Sequence, residues 1–75
     1  MAVPARQTYV MTEVVGSSDK SVSDAIGSAI STAARTLRNL DWFEVIDVRG
    51  RIHNNKVASY QVTMKLGLKY MPKKK

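Results

Sequence analysis

From Lys56 to Tyr70, Ala58, Tyr60, Val62, Met64, Leu66, Leu68 and Tyr70 alternate without a break with Ser59, Gln61, Thr63, Lys65, Gly67 and Lys69. A period of two predicts a strand with one apolar face on a core and one polar face. The run Trp42 to His53 is also rich in β-formers but less orderly, since Phe43 and Val45 share one parity while Ile46, Val48 and Ile52 share the other. Either a bulge near Asp47 re-phases this strand, or both of its faces are covered. Asn54-Asn55 joins the two runs, and asparagine tolerates positive φ, so a type I′ hairpin turn is expected. The register of such a hairpin sets Trp42 opposite Gly67, with open space beside the indole, and Gln61 opposite Val48.

Upstream, Thr8 to Val15 is β-branched and aromatic and stops at Gly16, which predicts a first strand. Ser18 and Ser21 both offer a helix N-cap, and Asp19 suits the positive end of the helix dipole. Val22, Ile26, Ala29, Ile30, Ala33, Leu37 and Leu40 then recur at steps of three and four, an apolar helical stripe about five turns long. Lys20, Asp24, Ser28, Ser31, Arg35 and Arg38 occupy its other side, and Gly27 reads as tolerated within it. The order is β-α-β-β: an α+β fold with a three-stranded antiparallel sheet packed on one long helix. Residues 1–75 form one domain, with 1–7 and 71–75 expected as flexible tails.

Size changes this picture. A chain of 75 residues buries only about 60% of its unfolded surface, so its own core is marginal. Cysteine is absent and His53 is the single histidine, which excludes a disulfide framework and a zinc ligand set. Oligomerisation is the device that remains. The N-terminus shows no apolar segment of a secretory signal and no run approaches a membrane span of about 18 residues, so the expected compartment is the cytoplasm, with no membrane partner. Net charge is +6, but Lys73, Lys74 and Lys75 supply half of it from the terminal run, so nucleic acid is only an alternative partner.

No motif carries catalysis. There is no nucleophile with a His and acid in context, and Gly16-Ser17-Ser18 lacks the lysine of a phosphate loop. The six acids Glu13, Asp19, Asp24, Asp41, Glu44 and Asp47 show no spacing that marks an acid–base pair, and solvation accounts for most of them. Catalytic and metal sites are therefore not expected. Trp42, the only tryptophan, stands where the helical pattern gives way to the second strand. There it can serve as a core anchor or as a flat stacking platform.

Val15-Gly16-Ser17-Ser18 before a helix, Leu37-Arg38-Asn39-Leu40-Asp41-Trp42-Phe43-Glu44-Val45, Val48-Arg49-Gly50, Tyr60-Gln61-Val62 and Lys65-Leu66-Gly67-Leu68 together resemble the bacterial dodecins, over about residues 8–70. The resemblance implies a homododecameric hollow shell that binds FMN or riboflavin non-covalently, as stacked pairs between symmetry-related tryptophans, for storage or buffering. Carried over, Trp42 would stack on the isoalloxazine, Gln61 would hydrogen-bond its polar edge, and Arg49 and Lys69 would lie near the ligand or its phosphate. Lys69 stands where related chains often carry arginine, Leu68 replaces an aromatic, and the basic C-terminus departs from an acidic ending. Trp42 and Gln61 fall about six residues, or roughly 20 Å, apart along the sheet, so a shared site has to form between subunits. The competing classes are a nucleic-acid-binding protein and a ligand-free structural oligomer.

Overall fold

The computed structural model describes residues 6–72, in the order β1 (Tyr9–Ser18), α1 (Val22–Ala33), β2 (Leu40–His53) and β3 (Lys56–Lys69). The lysines 73–75 and residues 1–5 of the expected N-terminal tail lie outside the described residues. The sheet runs β1-β3-β2, with both outer strands antiparallel to β3. This central placement follows from the alternation in β3, whose even-numbered side chains Val62, Met64 and Leu66 are at most 1% exposed. With Ala25 of α1 they form the buried core, and Val14, Val22, Ile26, Ala29, Ile30, Leu37, Leu40 and Leu68 pack around it.

The first strand runs three residues past the expected end at Val15, through Gly16. A Cβ at Gly16 would overlap the Ala25 carbonyl oxygen and press on Ala29 Cβ. The missing side chain is what lets α1 lie this close to β1. Ser21 is the N-cap, its Oγ accepting from Asp24 N–H at 2.9 Å. Ser18 assists: its Oγ accepts from Lys20 N–H at 2.9 Å and donates to Asp24 Oδ2 at 2.7 Å. Gly27 meets nothing within 4 Å of its Cβ position, so it is tolerated rather than required.

The helix is shorter than the five turns expected, ending at Ala33. Leu37 still donates its N–H to Ala33 O at 2.8 Å through an intervening turn, and Arg38 Nη1 donates to the carbonyls of Ala34 and Leu37. Asn39 then takes φ 65°, the left-handed conformation that reverses the chain into β2. Leu37 and Leu40 kept the helical spacing because both reach the core, which periodicity alone cannot distinguish from helix.

Asn54 and Asn55 both have positive φ, 52° and 64°, as a type I′ turn requires. The bulge expected near Asp47 is present, as a register shift between Val45 and Asp47. It brings Phe43, Val45 and Val48 onto one face, opposite Leu66, Met64 and Val62. A second shift between Arg51 and Ile52 compensates for it, so Trp42 does face Gly67, whereas Gln61 faces Arg49 and not Val48.

Helix α1 packs on β1 and β3 and leaves β2 overhanging. Phe43, Val45 and Val48 are consequently 40–48% exposed on the helix side, and Ile52 at the hairpin tip is 77% exposed. The described residues measure 58 × 23 × 15 Å, with a radius of gyration of 15.1 Å.

Candidate functional site

Residues facing one another across antiparallel strands share a side of the sheet. The side away from α1 therefore carries four cross-strand rows: Met11, Gly67 and Trp42; Glu13, Lys65 and Glu44; Val15, Thr63 and Asp47; Ser17, Gln61 and Arg49. Trp42, Gln61, Arg49 and Lys69 all belong to this helix-free side.

The Trp42 indole does not stand beside an open space at Gly67, as expected, but fills it. A Cβ on Gly67 would overlap Cε2, Cζ2 and Cδ2 of the indole, so the ring system lies directly on the bare backbone of β3. Tyr9, reaching across from β1, packs on it with ring centroids 5.6 Å apart and planes inclined at 61°. The Tyr9 hydroxyl donates to Asp41 Oδ2 at 2.8 Å. Asp41 can accept there because the register shifts between Leu40 and Trp42, leaving Asp41 outside the regular pairing. Partial burial, and then the hydrogen bond to and charge of Asp41, hold the Tyr9 phenol above its ordinary pKa of 10.0. Trp42 Nε1 is shielded from solvent without a hydrogen-bond partner among the described residues.

The remaining site residues fall into two places. Lys69 is exposed and faces Tyr9, at the Trp42 end of the sheet. Gln61, half-buried, and Arg49 face each other six residues farther along β3, roughly 20 Å from the indole at 3.3 Å per residue. Arg49 donates through Nη2 to Asp47 Oδ2 at 2.9 Å in an ion pair exposed on both sides. Such a pair is worth about 0–1 kcal/mol, so the guanidinium is easily recruited elsewhere. Arg49 and Lys69 are on adjacent strands, but about eight residues of strand, some 26 Å, separate them. They cannot hold one phosphate within one chain.

On the helix side of the same strand end, a pocket of about 150 Å³ is lined by Ile30, Leu40, Asp41, Trp42, Phe43 and Leu66. That is below the roughly 300 Å³ at which small-molecule sites begin, so this pocket does not enclose a tricyclic ligand. Among the described residues no three His, Cys, Asp or Glu side chains are placed to hold a metal ion, and no helix is long and apolar enough to cross a membrane. Tyr9 and Asp41 were not legible as site residues. The only signals were an aromatic in the first strand and an acid next to the tryptophan, and joining them requires the β1-β3-β2 order.

Residues 8–71 match the family model for dodecin. The chain is 41% identical over 63 residues to a dodecin of Thermus thermophilus, covering 84% of this chain and 91% of that one. The solved dodecin of Streptomyces coelicolor superposes with a TM-score of 0.85 at 46% identity, covering 93% of this chain and all of the other. Structures of the T. thermophilus dodecin with its tryptophan replaced by phenylalanine, or with either of two arginines replaced by alanine, superpose with TM-scores of 0.82 to 0.84 at 38–39% identity, covering 88–89% of this chain and 98% of each of theirs.

Proposed function

Because the chain belongs to the dodecin family, we propose that it is a non-enzymatic, cytoplasmic flavin-binding protein that stores or buffers FMN or riboflavin in a closed homododecamer. The observation that carries this reading is the Trp42 indole laid flat on Gly67, on the same side of the sheet as Gln61 but roughly 20 Å from it. No flavin ring spans that distance. A site using both residues takes its stacking face from one copy and its amide from another.

The donor set suits the ligand. An indole offers a broad π-face, and the Gln61 amide offers both donor and acceptor to the polar edge of an isoalloxazine. Lys69, beside the indole, suits a ligand phosphate. The bare guanidinium of Arg49, once released from Asp47, suits one reached from a neighbouring copy. The three positions altered in the T. thermophilus proteins are spaced seven and then twenty residues apart, the spacing of Trp42, Arg49 and Lys69 here. At the third of them lysine replaces arginine, which leaves a point charge without a bidentate fork.

The exposed apolar residues on β2 and the hairpin tip support self-association. Phe43, Val48, Ile52 and Val57 together make a surface that monomeric proteins rarely leave in water. Titration of FMN and riboflavin against the purified protein tests the ligand. Quenching of flavin emission on binding, from contact with the indole, is expected; bound flavin with full emission, or no binding by either, contradicts it.

A further inference from the structure

We propose that Tyr9 and Asp41 clamp the Trp42 indole, and that this clamp sets flavin affinity by fixing the orientation of the stacking face. The inference deepens the flavin-binding reading and rests on it for the affinity measurement only.

Three contacts converge on the indole. Gly67 supplies a floor that admits no side chain, which fixes the height of the ring over β3. A floor alone leaves the ring free to swing about χ1 and χ2. Tyr9 blocks that swing, its ring packed on the indole at 5.6 Å and inclined by 61°. Tyr9 is itself a long side chain from an edge strand, and an aromatic contact without a tether would not hold it. The tether is Asp41, whose Oδ2 accepts a hydrogen bond from the Tyr9 hydroxyl at 2.8 Å.

The topology makes this a closed loop. Tyr9 leaves β1, crosses the end of β3 and is bound on β2 by the residue immediately before Trp42. The irregularity between Leu40 and Trp42 is what releases Asp41 from regular pairing to take that role. A stacking platform held in one orientation gives tighter binding because the ordering cost is met before the ligand arrives. Tyr9 is thus a positioning residue, acting through Trp42.

Trp42 is the only tryptophan, so its emission reports the clamp without a label. Time-resolved anisotropy of the flavin-free protein is expected to show no fast indole motion in the parent. Tyr9→Phe, which keeps the ring and loses the tether, should introduce a sub-nanosecond component and weaken FMN about three- to tenfold, as expected for one hydrogen bond. Asp41→Ala should do the same from the other end, and it also covers the case in which Tyr9→Phe does not fold. Asp41→Asn, which retains an acceptor oxygen, should restore both the rigid indole and most of the affinity. A rigid indole in both loosened variants, or a mobile one with unchanged FMN affinity, overturns the proposal. A parent that binds no flavin refutes the flavin reading instead, and anisotropy then decides the clamp by itself.

Discussion

Gly67 is where the absence of a side chain does most. Its bare backbone carries the indole, so Gly67→Ala should displace Trp42 and weaken flavin binding about as much as losing the stack does. Trp42→Ala should leave the far-ultraviolet circular dichroism intact and weaken binding at least about tenfold, since stacking on an aromatic is worth about 1–3 kcal/mol. Titration by flavin fluorescence checks both, and an alanine variant at either position that binds like the parent would rule out the stacking role. The Tyr9 hydroxyl predicts a pH window. A phenol whose pKa is raised in the folded state stabilises it below the unfolded value of about 10 and loses that contribution as pH rises through the higher folded value. Indole anisotropy should therefore stay constant from pH 6 to 9 and fall only in stronger alkali. At this scale the sequence showed Trp42 facing Gly67, because the two register shifts between Trp42 and the Asn54-Asn55 turn cancel there, and misjudged Gln61, which lies between them.

Among the elements, the strands were the more legible. Perfect alternation in β3 identified its buried face, and mixed parity in β2 left a bulge near Asp47 or two covered faces as alternatives, of which the structure has the bulge, at Ile46, because an apolar face has to stay in phase with its neighbour. The helix was overestimated, since Leu37 and Leu40 pack on the core from a turn and a strand while keeping helical spacing. The strand order was not legible, as the connection through α1 allows β1 to join either side of the hairpin. Two substitutions probe α1. Ser21→Ala removes the cap to Asp24 N–H and should cost about 1 kcal/mol. Gly27→Ala, with open space at its Cβ, should stabilise by about 0.5–1 kcal/mol. Thermal unfolding measures both, and a loss of stability in Gly27→Ala would mean that this face of α1 is in contact with another copy.

As a whole molecule, the chain is too long for its mass. A compact domain of this size has a radius of gyration of about 11 Å, against 15.1 Å here. The excess is the hairpin, whose apolar residues α1 does not cover. A short chain with neither disulfide nor zinc site to supplement its core already implied partners, and the structure adds where the uncovered surface lies. The two cationic positions, separated along the hairpin, bear on the ligand at this scale. FMN should bind more tightly than riboflavin at low salt, and the preference should shrink as the Debye length falls from about 10 Å at 0.1 M to about 3 Å at 1 M. Equal affinities at low salt would show that Lys69 and Arg49 do not read the phosphate. The central claim, that flavin is bound between copies of this chain in a closed assembly, is tested most directly by native mass spectrometry of the protein loaded with FMN. The account predicts a single species of twelve chains carrying flavin, and no flavin on any monomer released from it. A folded monomer that retains flavin, or a dodecamer that takes up none, would contradict it.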